Sequence, residues 1–321
     1  EDIHPGLRAR AVSVLRKTYE ALEREVRAAE PRTKSEVQEI CSSKRVAQIL
    51  SPKGFMGKVG EVTEEIIEEL ANRDILAGLT SVKCEGIRPY QHGVDVCILC
   101  VMMGKAINMR ARQLKQLAMG AIMHDIGMVF LEDGLPEAQR IKLHTVLGYE
   151  ILRHTDTHTM SPHVALEHHE HQDGTGLPRH VSGSNMLVRN RNLPPPIPSL
   201  NGEIAAVANA YDNLVSGTHE QKPLSPNDAV NLMRGASGLV FNKEILNIFL
   251  SMVPAHPVGS EVTIRDGRYD GFSGVVVEQR AGRADRPIVV LFTGRTGEPI
   301  EPVEVHLKEE TDATLVLGAA K

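Results

Sequence analysis

Ala121-Ile122-Met123-His124-Asp125-Ile126-Gly127-Met128 is the stretch on which the reading of this chain turns. The apolar residues Leu117, Ala118, Ala121 and Ile122 run straight into a histidine and a carboxylate, and Gly127 follows at once. Burying two such polar groups side by side is costly unless something compensates both. A divalent ion does so, because imidazole and carboxylate are both ligands and adjacent residues can share it. Taken alone, a His-Asp pair reads more readily as a hydrogen-bonded pair in a core. The rest of the chain reverses that preference: His92 lies upstream, and His144, His168-His169 and Asp212 lie downstream, each on an expected helix or helix end.

His92, His124, Asp125, His144, His168, His169 and Asp212 make seven candidate ligands, more than one tetrahedral structural zinc takes, with no cysteine among them. A mixed nitrogen and oxygen set of this size suits two divalent ions per chain, bridged by Asp125. Iron or manganese fits as well as zinc, and ligand type alone does not choose among them. Two such ions can hold a bridging hydroxide and clamp a phosphoryl oxygen, so the expected chemistry is phosphoester hydrolysis centred on His124 and Asp125.

Length and composition are consistent with an enzyme of that kind. At 321 residues the chain accommodates two compact units with extra helices, and a hydrophobic content of 41% supports a real core. The 36 basic and 41 acidic residues give a net charge of −5, which offers no global field for DNA. Most of the 14 histidines fall between 92 and 180, a clustering that signals a site. Cys41, Cys84, Cys97 and Cys100 form no disulfide framework; Cys97 and Cys100 sit in an apolar helical run and read as core thiols. No apolar run is long enough to span a bilayer and no signal peptide is visible, so a soluble, cytoplasmic protein is expected. The first residue is Glu1, not Met, consistent with a fragment that lacks an N-terminal partner domain.

Along the chain, residues 1–84 read as a helical region that is regulatory, connecting or dimerising. Amphipathic stripes predict helices over 7–29, 34–50 and 58–79. Residues 85–253 stay helical, with segments over 89–107, 112–124, 136–153, 162–169, 204–214, 226–233 and 243–252. Asp173–Pro178 must be a loop, and 181–201 reads as an irregular, exposed excursion. From 254 to 321 short β-branched runs separated by Gly and Asp turns predict about five strands, closed into a compact barrel. The fold class is therefore mainly α: a helical bundle with a helical N-terminal region and a small C-terminal β-barrel-like unit.

Three motifs carry a family resemblance. His124-Asp125-Ile126-Gly127, then His168-His169-Glu170 with Asp173-Gly174 and Gly176-Leu177-Pro178, then Ala210-Tyr211-Asp212 resemble the HD-GYP family of the HD phosphohydrolase superfamily. The resemblance covers roughly 85–253 and implies a helical HD domain that hydrolyses the bacterial second messenger cyclic di-GMP. It also implies that His92, His124, Asp125 and Asp212 hold one ion, and that Asp125, His144, His168 and His169 hold the other. A diguanylate cyclase (GGDEF) partner and a homodimer through the N-terminal helices are further expectations.

The chain departs from the family at substrate contacts. Gly-Tyr-Pro reads Gly176-Leu177-Pro178, the usual lysine after His-Asp-x-Gly is Met128, and the usual Arg-Pro-Tyr-Arg reads Thr218-His219-Glu220-Gln221. Arg88 replaces the glutamate that supports a third ion in some members, so two ions are expected. Glu170 and Asp173 are candidates for orienting ligand histidines, with loop capping the alternative for Asp173. Gly176, Leu177, Pro178 and Lys222 are candidates for substrate binding. The leading function is hydrolysis of cyclic di-GMP or a related cyclic dinucleotide; the alternative is a catalytically weak module that holds metal and binds a nucleotide or signalling partner.

Overall fold

The computed structural model describes residues 3–29, 34–71, 88–131, 134–155, 161–188, 197–218, 221–253, 256, 258–279 and 286–318. The chain begins with α1 (Pro5–Ala29), α2 (Lys34–Cys41), α3 (Lys44–Ile49) and α4 (Phe55–Ala71). α1 buries Leu7, Ala11, Leu15, Tyr19 and Leu22, three or four apart, as the stripe predicts. The helix expected over 34–50 is divided, because the Ser43 side chain accepts the Val46 amide at 3.2 Å and so starts a new N-terminus. Of the helix expected over 58–79, the part beyond α4 lies outside the described residues.

The helical unit continues with α5 (Arg88–Ala106), α6 (Ala111–Ile122), a 3₁₀ turn over Ile126–Phe130, α7 (Glu137–Arg153) and α8 (Ser161–Glu167). It ends with α9 (Leu200–Ser216), α10 (Pro226–Gly235) and α11 (Lys243–Met252). α5 is buried on every side from His92 to Gly104, the mark of a central helix. α1 and α4 do not form a separate core. Leu7, Leu15, Val62 and Ile66 are buried in the same apolar cluster as Ile98, Leu117 and Phe249. Polar ties reinforce this joining: Arg8 pairs with the fully buried Asp95 of α5, and Lys105 of α5 donates to the Leu70 carbonyl of α4.

Two glycines set how closely the ligand-bearing segments approach. A Cβ on Gly93 would stand 2.9 Å from the Ile122 carbonyl, so α5 and the end of α6 meet almost backbone to backbone. A Cβ on Gly127 would stand 2.0 Å from the His144 carbonyl, which seats the 3₁₀ turn directly on α7.

After α11 come β1 (Glu261–Arg265), β2 (Ser273–Glu278), β3 (Ile288–Thr293), β4 (Pro299–His306) and β5 (Thr314–Leu317). They form an antiparallel sheet in the order β4-β3-β2-β1-β5, packed around Val262, Ile264, Val276, Val289, Leu291 and Val305. The expected barrel is not formed. β4 and β5 are the two edges, and closure would require them to pair. Strand count and turn chemistry are legible in a sequence, but neither specifies the shear that closes a sheet.

Candidate metal centre

Four segments converge on Asp125. His92 comes from the first turns of α5, and His124 from the turn that ends α6. His144 comes from the middle of α7, and His168-His169 immediately follow α8. The candidate ligand atoms fall into two groups, His92–His124–Asp125 and His144–His168–His169, with the atoms of each group within 4.8 Å of one another.

Ring tautomers follow from the hydrogen bonds. His124 Nδ1 lies 2.7 Å from the Ala121 carbonyl, His144 Nδ1 2.9 Å from Arg140 O, and His168 Nδ1 3.1 Å from Val164 O. A carbonyl only accepts, so each Nδ1 carries the proton and each Nε2 of a neutral ring is left with a lone pair. His92 Nδ1 lies 2.7 Å from Asp212 Oδ2 and donates in the same way. The exposed lone pairs then face one another: His92 Nε2 and His124 Nε2 are 3.2 Å apart, and so are His144 Nε2 and His168 Nε2.

Asp125 divides its carboxylate between the two pairs. Oδ2 lies 3.4 Å from His124 Nε2 and 3.8 Å from His92 Nε2, while Oδ1 lies 3.4 Å from His144 Nε2 and 3.6 Å from His168 Nε2. Each pair of lone pairs, with one carboxylate oxygen, makes a cradle for a cation. The residues present therefore fit a divalent ion at each half, and nitrogen donors suit iron, manganese, zinc or nickel better than calcium or magnesium.

Electrostatics favours the same filling. Burial pushes the His168 imidazole down to about 4. Burial also lowers His144, and burial together with the His168 and His144 rings holds His169 well below its ordinary value. Burial works to raise the Asp125 carboxyl, but the His124 ring and its hydrogen bond, joined by His168 and His144, outweigh it. The carboxyl is held well below the usual range. At neutral pH the His144, His168 and His169 rings are thus neutral and Asp125 is ionised, the protonation state in which imidazole and carboxylate bind metal.

The structure brings Asp212 to the cluster through His92 Nδ1, while Ser216 donates to its other oxygen at 3.2 Å. Glu170 is buried and accepts the Arg179 amide at 2.8 Å and the Val181 amide at 3.1 Å, so its carboxylate shapes the loop after the paired histidines. Asp173 is exposed and accepts the Thr175 amide at 2.9 Å and its hydroxyl at 2.7 Å, which is a turn cap. The Leu177 amide donates to the His169 carbonyl at 2.9 Å, the Leu177-Pro178 peptide is cis, and a Cβ on Gly176 would collide with the His171 amide at 2.2 Å. Met128 is 36% exposed and supplies no charge. Lys222 is exposed and makes no hydrogen bond or ion pair with a described residue. His219 and Glu220 lie outside the described residues.

Sequence reasoning missed two sets of residues. Asn209, one turn before Asp212 on α9, places Oδ1 2.9 Å from His92 Nε2; a polar residue within the apolar run 204–210, three positions from a candidate ligand, was the available signal. The second set is a buried relay. Glu203 accepts from Gln172 Nε2 and from Asn242 Nδ2, each at 2.9 Å, and Gln172 Oε1 accepts the Asn185 amide at 3.0 Å. Asn185 Nδ2 in turn donates to Gly238 O at 3.0 Å. The segment from 181 is irregular as expected and exposes Met186 and Val188, but it is anchored. Residues 181–188 are tied down by α9, α11 and the turn at 238, because buried Glu203 requires donors and this loop supplies them. Residues 189–196, with Arg189 and Arg191, lie outside the described residues.

Several known proteins are similar to this chain. The HD domain family model matches residues 90–214. The chain is 26% identical over 314 residues to the cyclic di-GMP phosphodiesterase PA4108 of Pseudomonas aeruginosa, covering 93% of this chain and 70% of that protein. It is 22% identical over 207 residues to 3'3'-cGAMP-specific phosphodiesterase 2 of Vibrio cholerae, covering 61% of this chain and 36% of the relative. Among solved structures, Bd1817, an HDG"Y"P protein from Bdellovibrio bacteriovorus, aligns with a TM-score of 0.47 at 16% identity, covering 70% of this chain and 76% of that one. Among the described residues no helix is long and apolar enough to cross a membrane. The match to the HD domain family thus spans residues 90–214 and takes in all seven candidate ligands of this chain.

Proposed function

We propose that this chain is a metal-dependent phosphodiesterase that hydrolyses cyclic di-GMP or a related cyclic dinucleotide at a two-ion site. The observation that carries the reading is the placing of two facing Nε2 pairs, one at each oxygen of Asp125. The phosphodiesterase names of the relatives support the substrate class. His92, His124 and Asp212 would hold one ion and His144, His168 and His169 the other, with Asp125 bridging and Asp212 also fixing the His92 ring. Bound divalent ions supply Lewis acidity, acidify the attacking water and neutralise charge on the phosphoryl group. The chain's own part is to keep His144, His168 and His169 unprotonated, hold Asp125 ionised at the seam and fix the loop after His169 through Glu170.

The test is hydrolysis of cyclic di-GMP and 3'3'-cGAMP by protein loaded anaerobically with iron or manganese, its metal quantified, with Asp125→Ala alongside. Turnover in the parent and loss of both turnover and metal in the variant support the reading. About two ions per chain with no turnover of either substrate would favour a module that binds metal and nucleotide without cleaving. The exposed Met128 thioether and the aliphatic Leu177, which leave the described site short of phosphate donors, are the observations on that side.

A further inference from the structure

The first helix reaches the metal centre. Leu15 Cδ1 lies 3.4 Å from the point where a Cβ on Gly93 would stand, the same point that is 2.9 Å from Ile122 O. Gly93 follows His92, and Ile122 precedes His124 by two residues. α1 therefore crosses the seam from which two ligand histidines emerge. One turn further on, the Tyr19 ring is 8% exposed and meets the Tyr90 ring edge-on, with centroids 5.6 Å apart. Its phenol makes no hydrogen bond to a described residue, and its oxygen is not among the sealed, unpartnered polar atoms. A buried phenol ordinarily finds a partner. Burial, followed by the negative charge of Asp125, pushes the Tyr19 hydroxyl well above its ordinary value, so it is a protonated donor at neutral pH.

We propose that Tyr19 is a substrate-contacting residue of the centre: its phenol O–H donates to a phosphoryl oxygen of the phosphodiester that lies over Asp125. This rests on the phosphodiesterase reading above. The donor would come from α1, outside the 90–214 match, and would supply a hydrogen bond to phosphate that Leu177 and Met128 cannot make. Tyr90 differs. Its ring is only half-buried, and burial followed by the charges of Glu23 and Glu20, partly offset by Arg16, raises its hydroxyl.

The experiment compares the manganese-loaded full chain with Tyr19→Phe and Tyr90→Phe, both of which keep the ring. Three quantities are read: bound metal, affinity for inorganic phosphate by calorimetry, and KM and kcat for cyclic di-GMP. Tyrosine emission gives a fourth readout, because the chain has five tyrosines and no tryptophan. The expected result for Tyr19→Phe is unchanged metal content, with phosphate affinity and kcat/KM reduced about 10- to 100-fold, the worth of a hydrogen bond to a charged oxygen. Phosphate-induced change in emission should vanish with it, while Tyr90→Phe behaves as the parent. Parent-like phosphate binding in Tyr19→Phe, or equal losses in both variants, would overturn the proposal. If the parent binds metal but cleaves no cyclic dinucleotide, the functional reading fails, and the phosphate titration still decides Tyr19 independently.

Discussion

His144 Nε2 and His168 Nε2 stand 3.2 Å apart, with the Nδ1–H of each ring donated to a backbone carbonyl of its own segment. Two neutral imidazoles in that arrangement repel through their lone pairs, and only a proton or a cation between them removes the repulsion. Burial makes the proton unfavourable down to about pH 4 for His168, which leaves the cation. Replacing His168 with alanine should therefore reduce bound metal from about two ions to about one per chain, since the His92–His124 half keeps its ligands. Metal analysis after gel filtration reads this directly, and two retained ions would remove His168 from the ligand set.

Asp212 sets a second expectation. Its Oδ2 takes the Nδ1 proton of His92 and so leaves Nε2 of that ring aimed at the centre. Asp212→Asn should weaken metal binding by roughly 10- to 100-fold, the usual cost of losing a group that orients a ligand histidine. A chelator-competition titration checks it. An affinity equal to the parent's would show that the ring holds its tautomer without the carboxylate.

Stability of the metal-free chain should fall on acidification. His168 titrates near 4 in the folded chain and near about 6.5 when unfolded, so between these values the unfolded chain binds more protons. Its contribution is therefore present above about pH 6.5 and is lost as pH falls toward 4, by at most about 3 kcal/mol. Asp125, lowered in the fold, adds a loss of the same sign at lower pH. Urea midpoints measured across this range should decline, and His168→Gln should flatten the upper part of the decline.

The seat of the 3₁₀ turn on α7 can be tested at one atom. Gly127→Ala would place a methyl 2.0 Å from the His144 carbonyl and 2.6 Å from the Gly148 amide, both backbone atoms that cannot swing away. We expect a loss of about 1–3 kcal/mol or more in thermal unfolding, together with weaker metal binding because His144 is displaced. Unchanged melting and metal content would mean that the turn relaxes freely.

Much of the centre was legible from residue type and spacing. The adjacent His124-Asp125 and His168-His169 pairs need no long-range information, and apolar periodicity around them located α5 to α9 to within a few residues. What stayed hidden depends on partners far apart in the chain. Glu203, Gln172, Asn185 and Asn242 each read as ordinary polar residues, and only folding brings them into one hydrogen-bonded relay. The place of α1 was hidden for a similar reason. Its stripe is the same whether it covers a partner subunit or, as here, joins one apolar core with α4 and α5 of its own chain. Asp173 was balanced between two roles, and the geometry of Thr175 assigns it to the turn.

The open sheet carries a hazard that its outermost strand answers. An uncovered strand invites a copy of itself to add on, the first step toward fibres and precipitates. β4 is a poor template for such growth: Pro299 and Pro302 lack the amide a newcomer would need, and the exposed Glu301 and Glu304 repel a like-charged neighbour. β5, at four residues, offers little length on the other side. A small unclosed module can thus stay dispersed at high concentration without the ring closure that other β units use to hide their borders.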